Sequence, residues 1–394
     1  MAAAGDIPLT VYVHVPWCVR KCPYCDFASQ PLRGEVPWGA YAEAVLADLD
    51  ADLAWAPETA ARTVEAIFLG GGTPSLMPPD TLARLLDGIA ARLRLAADVE
   101  VTLEANPGAS ERGALAAFRA AGASRLSLGV QSFDDRQLAR LGRIHSAAEA
   151  VSAVEAARAA GFERINLDLM YALPEQAVDE ALADLARAVE LSPEHVSWYQ
   201  LTLEPGTAFG RSPPPLPDEG TVVRMEHEGR ALLAAAGYGR YEVSAYARGQ
   251  EARCRHNLNY WRFGDYLGLG PAAHGKLTRP DGRIVRTRRI ASPRRYLASR
   301  PAARVARETV AREALPLEFA LGALRLAEGF TLAAFEARTG LPAAALEPAL
   351  ARAAALGLIE REGGRVRASA RGYALLDSLL ALFAPAPAAG GAAS

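Results

Sequence analysis

Residues 10–204 alternate short β-branched or apolar runs with longer amphipathic stretches, and this alternation restricts the fold more than any other feature. The strand-like runs are residues 9–15, 64–69, 99–104, 124–130, 164–170 and 196–203. Helical patterns lie between them at 41–53, 80–94, 111–121, 147–160 and 177–191. Strands separated by helices run parallel, because a crossover must return the chain to the sheet, and such crossovers are right-handed. Six units are too few to close an eight-stranded barrel. The expected fold class is therefore α/β, a partial (βα)6 barrel, with reactive groups gathered at the C-terminal ends of the strands.

After the barrel, RSPPPLPDEG at 211–220 reads as a linker. A helix over 222–236, a short strand and the loop-rich run HNLNYWRFGDYLGLGPAAHG follow. From 315 to 382 the pattern is helical, with Gly363-Gly364 inside a hairpin at 358–368, which suggests a smaller winged-helix-like α+β region. The expected organisation is a barrel over 1–210, a linker and segment over 211–305, the winged-helix-like region over 306–384 and a disordered tail over 385–394. Winged helices often bind DNA, but no dense basic helix stands out and the net charge is −2, so no nucleic-acid partner is expected. The N-terminus lacks the pattern of a secretory signal, and no run of about 18 uncharged apolar residues marks a membrane span.

Three of the four cysteines lie within eight residues, as Cys18-Val-Arg-Lys-Cys22-Pro-Tyr-Cys25, directly after the first strand. A secreted disulfide scaffold would spread its cysteines along a shorter chain, so a reducing cytoplasm fits. Structural zinc sites close with four ligands, usually as two separated pairs, and no second pair exists here. A redox dithiol needs only CxxC and would leave Cys18 unexplained. Thiolates suit iron–sulfur clusters, and three on one loop can hold three corners of a [4Fe–4S] cubane with the fourth iron open. An open iron suits a chelating amino acid such as the methionine moiety of S-adenosylmethionine (SAM).

CxxxCxxC after a first strand resembles the signature of the radical SAM superfamily. The longer string YVHVPWCVRKCPYCDF is similar to the subgroup around oxygen-independent coproporphyrinogen III oxidase, and the resemblance runs from about residue 11 to 382. It implies a radical SAM barrel and a set of SAM contacts. Tyr12 and Tyr24 flank the cluster loop, Gly72 and Thr73 stand in GGGTP, and Glu104 stands in LEANP. Gln131 lies in GVQSF, Arg143 in LGRIH and Asp168 in INLDLMYALP. In this reading Arg143 meets the SAM carboxylate, while Glu104 and Asp168 meet its amine, sulfonium and ribose.

Two functions compete within the subgroup. The oxidases decarboxylate porphyrinogen propionates and carry a further cysteine two positions after the third ligand, where this chain has Phe27; they also carry a longer N-terminal extension than the 17 residues before Cys18. The HemW-type haem chaperones carry HNxxYW, here His256-Asn-Leu-Asn-Tyr260-Trp261. The resemblance to them implies haem as a third cofactor, with His256 as iron ligand and Tyr260 and Trp261 along the macrocycle. It also implies haem-accepting partners, membrane-associated respiratory enzymes among them, with peripheral contact to the membrane, and it admits a homodimer. Cys254 reads as an inert buried thiol ahead of a second haem ligand. His14 and His145 read as hydrogen-bonding groups near the SAM site, and His274 as part of the GPAAHG loop. A radical SAM enzyme acting on another substrate is the third class.

Overall fold

The computed structural model describes residues 7–385; from residue 386 onward, the tail expected to be disordered lies outside them. Six parallel strands form where the alternation put them: β1 (Leu9–Val15), β2 (Thr63–Gly71), β3 (Arg94–Ala105), β4 (Arg125–Gln131), β5 (Ile165–Tyr171) and β6 (His195–Gln200). Each lies beside its predecessor in the sheet. The crossover helices are α1 (Trp38–Trp55), α2 (Pro79–Ala90), α3 (Ala109–Ala120), α4 (Ala147–Ala159) and α5 (Val178–Glu190). Local chemistry starts them: Pro79 opens α2, and a Ser146–Glu149 capping box opens α4.

Most of the strands alternate; β2, whose core residues Val64, Ile67 and Leu69 straddle a register shift, is the exception. Leu9, Val11 and Val13, Leu126, Leu128 and Val130, and Leu167 and Leu169 share one core with the helix layer. The intervening positions face the other way. They include Thr10 and Tyr12, Glu100 and Glu104, Arg125 and Ser127, Asn166 and Asp168, and Ser197 and Tyr199. Parallel strands covered on both faces are usually apolar throughout. An inner face this polar belongs to a cavity.

The chain beyond residue 211 extends the same sheet at both edges. After α6 (Glu219–Ala235), which packs on α5, β7 (Gly239–Glu242) and β8 (Ala245–Ala247) continue antiparallel past β6. At the opposite edge β9 (Asp265–Leu269) pairs parallel with β1, a seventh parallel strand that the six-unit reading did not include. Antiparallel β10 (His274–Thr278), β11 (Ile284–Arg289) and β12 (Val305–Thr309) follow it. Among the described residues the sheet has twelve strands in the order β12-β11-β10-β9-β1-β2-β3-β4-β5-β6-β8-β7.

The loop-rich reading of the HNLNYW run is corrected: Arg255–Trp261 is a helix, α7. Its polar and aromatic composition carries no helical period. Buried side chains hold it instead: the Asn259 amide donates to the Asp265 carbonyl at 2.8 Å and to Thr10 Oγ1 at 3.2 Å. The C-terminal part contains α8 (Leu315–Ala323), α9 (Leu332–Thr339) and α10 (Glu347–Ala355). It also contains a small sheet of β13 (Phe330–Thr331), β15 (Arg365–Ala368) and β14 (Ile359–Glu362), in that order. A separate core including Phe319, Phe330, Phe335 and Leu350 holds these elements together. Among the described residues no helix is long and apolar enough to cross a membrane.

Candidate functional site

The cysteine loop is closed at its base. Trp17–Cys18 pairs with Gln30–Pro31, and Leu32 N–H donates to the Cys18 carbonyl at 2.9 Å. Within the loop, Cys25 N–H donates to the Cys22 carbonyl at 3.2 Å. The Lys21 ammonium ties the far side by donating to the carbonyls of Phe27 at 2.6 Å and Ser29 at 3.0 Å. His14 anchors the loop from β1. Its Nε2 faces the Ala28 carbonyl at 3.0 Å and so carries the proton, which leaves Nδ1 to accept from Tyr12 O–H at 3.0 Å. Burial raises the Cys18 and Cys25 thiols, and the Lys21 charge pulls against that rise.

Cys18, Cys22 and Cys25 all line one cavity of about 640 Å³ at the C-terminal ends of the strands. Three thiols on one loop facing a single space fit three-thiolate ligation of an iron–sulfur cluster. The Arg143 guanidinium adds a cation at 3.7 Å from Cys22 Sγ, and its Nε is buried without a partner. Among the described residues no three His, Cys, Asp or Glu side chains converge as a single-ion site.

The glycine run after β2 forms the next wall. Gly72 N–H donates to the Val15 carbonyl at 2.7 Å, and a Cβ on Gly72 would lie 2.3 Å from the Trp17 carbonyl oxygen. Only glycine lets this strand end pass so close to the base of the cysteine loop. Gly71, at φ +113°, donates its N–H to Glu104 Oε2 at 3.1 Å. Among the cavity's basic groups, Arg143 is positioned by polar neighbours: its Nη2 donates to Asn106 Oδ1 at 2.5 Å and to the Gly129 carbonyl at 2.7 Å. Asn106 donates in turn to Thr73 Oγ1 at 2.9 Å.

Glu104 and Asp168 are half-buried carboxyl groups on the same cavity. Burial, reinforced by the negative charge of Asp168, pushes Glu104 up to about 8. Burial also raises Asp168, but hydrogen bonds oppose it. Ser127 O–H donates to Asp168 Oδ2 at 3.1 Å and the Asn166 amide to Oδ1 at 2.8 Å. Behind Asn166 the pattern continues: His195 Nδ1 lies 2.5 Å from Asn166 Oδ1, and Tyr241 O–H lies 2.8 Å from His195 Nε2. Because Asn166 Oδ1 can only accept, His195 donates from Nδ1 and accepts at Nε2. Every donor in this chain points toward the Asp168 carboxylate, the arrangement that favours its ionised form. Gln131 ends β4 at φ +71°, a left-handed conformation uncommon for a non-glycine residue, and its Oε1 accepts from Tyr199 O–H at 2.8 Å.

Of the residues expected at a SAM site, Tyr24, Gly72, Thr73, Glu104, Gln131, Arg143 and Asp168 line this cavity with the three cysteines. Tyr12 stands back from it, with its ring 6.2 Å from Phe68 and 6.0 Å from His256. The three residues expected at haem do not share one surface. His256 is buried, 5.2 Å from the Phe68 ring; burial lowers it to about 4, and its Nδ1 has no partner. Tyr260 is exposed against Tyr266, whereas Trp261 lines the cavity. Cys254 is buried, its thiol pushed up to about 12 by burial, with Sγ 3.6 Å from Glu100 Oε1. His145 uses Nε2 on the Val130 carbonyl at 3.1 Å. Phe27 is exposed on the cysteine loop.

Sequence reading passed over Asn106, Ser127, Tyr199 and Arg325, which also line the cavity. The strict alternation in RLSLGVQ was a usable signal for Ser127, since it sets Ser127 on the same face as Gln131. Nothing local marks Arg325.

The Radical SAM superfamily model matches residues 12–188, and the HemN C-terminal domain model matches residues 310–375. The heme chaperone HemW of Escherichia coli is 48% identical over 381 residues, covering 95% of this chain and 98% of that protein. The heme chaperone HemW of Haemophilus influenzae is 44% identical, with the same coverage of 95% and 98%. That of Mycobacterium tuberculosis is 37% identical over 95% of this chain and 94% of its own length. The solved structure of the radical SAM enzyme coproporphyrinogen III oxidase HemN from Escherichia coli superposes with a TM-score of 0.81. It covers 96% of this chain and 90% of that one at 23% identity, a likeness of fold alone.

Proposed function

Because the chain belongs to the radical SAM superfamily and, within it, to the family of the heme chaperones HemW, we propose that it binds haem beside a SAM-liganded [4Fe–4S] cluster and passes the haem to acceptor proteins. When bound, the cluster supplies an iron open to chelation by SAM and an electron for its sulfonium. Cys18, Cys22 and Cys25 hold the cluster. Arg143, already oriented by Asn106 and Gly129, takes the SAM carboxylate. Glu104 and Asp168 set negative charge against the amine and sulfonium, and the Gly71–Gly72 backbone leaves room for the ligand.

The observation that carries the haem reading is that Trp261, at the end of α7, lines the same cavity as the three thiols. Through Trp261 the end of the HNLNYW helix thus meets the space that the cluster loop faces. His256 is the iron ligand in this reading: it is neutral, and its Nδ1 is free of any hydrogen bond. Its ring packs on Tyr12 and Phe68, so ligation requires α7 to lift from β1 and β2. The acceptors are membrane-associated respiratory proteins, reached from the cytoplasm by transient peripheral contact, and the working form includes a homodimer.

Titrating reconstituted protein with haem should shift the Soret band, with His256→Ala weakening binding while cluster content stays constant. Incubation with coproporphyrinogen III, SAM and reductant should leave the porphyrinogen propionates intact. Cluster-dependent formation of protoporphyrinogen IX would replace the chaperone reading with that of an oxidase. Anaerobic reconstitution should give about four irons per chain, as the cubane requires. Cys18→Ala, Cys22→Ala and Cys25→Ala should each abolish the cluster, and Cys254→Ala should spare it.

A further inference from the structure

One wall of the cavity is built from outside the parallel strands, by Trp261 from the end of α7, Arg325 from just beyond α8 and Ser244 from the β7–β8 turn. The Arg325 guanidinium lies over the Trp261 ring, 4.4 Å from its centroid. Gly322 lets α8 press on α7, since a Cβ there would come within 2.8 Å of the Trp261 carbonyl oxygen. Two donors in this stack, Trp261 Nε1 and Arg325 Nε, are buried with no hydrogen-bond partner. An unpaired Nε recurs on several arginines of this protein, but an unpaired indole N–H on a cavity wall beneath a stacked guanidinium points to an acceptor supplied by a ligand. Glu242 only partly neutralises Arg325: the pair is single and long, at 3.3 Å, and the Glu242 carboxylate also accepts from Ser244 N–H and O–H.

We propose that Trp261 and Arg325 form a carboxylate-anchoring subsite of this cavity, with the guanidinium and indole N–H groups donating to a propionate of haem. The assignment rests on the haem reading above and makes Arg325 a specificity residue contributed by the C-terminal part. A planar guanidinium suits carboxylate better than an ammonium does, and its stacking on Trp261 fixes its direction.

The test is a Soret titration of the cluster-loaded protein with haem and with haem dimethyl ester, whose propionates carry no charge. The parent should prefer haem by about tenfold, the ratio expected for one charge-assisted hydrogen bond. In Arg325→Ala that preference should fall to about one, and Arg325→Lys should restore part of it. A merely structural loss would weaken both porphyrins equally and leave the ratio alone. If Arg325→Ala is unfolded by circular dichroism, Arg325→Gln and Arg325→Lys carry the comparison. If the parent binds both porphyrins and Arg325→Ala keeps the preference, the subsite is wrong while the haem reading stands. SAM affinity should be unchanged in Arg325→Ala; a fall with the porphyrin ratio intact would assign the carboxylate to SAM instead. A parent that binds neither porphyrin removes the haem reading and this subsite together.

Discussion

Glu104 and Asp168 are half-buried on strands separated only by β4, and their titration is the cavity's most direct handle. With Glu104 at about 8, the free protein at pH 7 carries a proton there. Binding the positively charged SAM should expel it, because a nearby cation favours the carboxylate. Affinity for SAM is therefore expected to rise from pH 6 to about 8 and then level off. Calorimetry in buffers of different ionisation heat should register proton release at pH 7, with fewer protons released in Glu104→Gln because only the SAM ammonium then gives one up. The same group affects stability with a definite sign. Its folded value lies above the ordinary 4.5, so its contribution is present below that pH and is lost as pH rises through about 8. The free protein should unfold at lower denaturant at pH 9 than at pH 7, and Glu104→Gln should reduce that difference.

Among elements, α7 is the one held almost wholly by others. Its seven residues are too few to be stable alone, and Asn259 clamps it to β1 and β9 through Thr10 and Asp265. Gly264 makes room for that clamp, as any Cβ there would strike the Asn259 amide. Asn259→Ala should cost about 1–3 kcal/mol through the buried groups it leaves unpaired. Hydrogen exchange should then quicken across Arg255–Trp261 first, with the barrel strands still protected. Equal acceleration throughout the sheet would show that α7 is not a separately opening unit.

At the scale of the whole molecule, the far edge of the sheet is joined to α1 by buried charge. Asp48 accepts from Arg304 at 3.3 Å, pairs with Arg289 at 3.2 Å and takes the hydroxyl of Tyr296. Asp52 binds Arg289 at 2.5 Å and Arg307 at 3.0 Å. Removing one member of such a network leaves the others buried and unpaired. Asp48→Ala should therefore lower unfolding free energy by about 3–5 kcal/mol in chemical denaturation. A loss below about 1 kcal/mol, the level of an exposed pair, would mean that this edge contributes little to the fold.

The sequence by itself determined the parts whose signal is local. Short apolar or β-branched runs set between helical patterns marked each of the first six strands, because both patterns are recognisable within a few residues. The cysteine spacing marked the loop after β1 for the same reason, since its three ligands lie on one short segment. Glycines at the end of β2 and the polar ends of β3, β4 and β5 were likewise readable in place. Only the tertiary structure decided that β9 would join β1 as a seventh parallel strand, although more than 200 residues separate them. It alone turned HNLNYW into a helix, sent His256 inward and Trp261 toward the cavity, and brought Arg325 onto the same wall. These outcomes depend on partners far away in the chain, for which neither propensity nor spacing carries information.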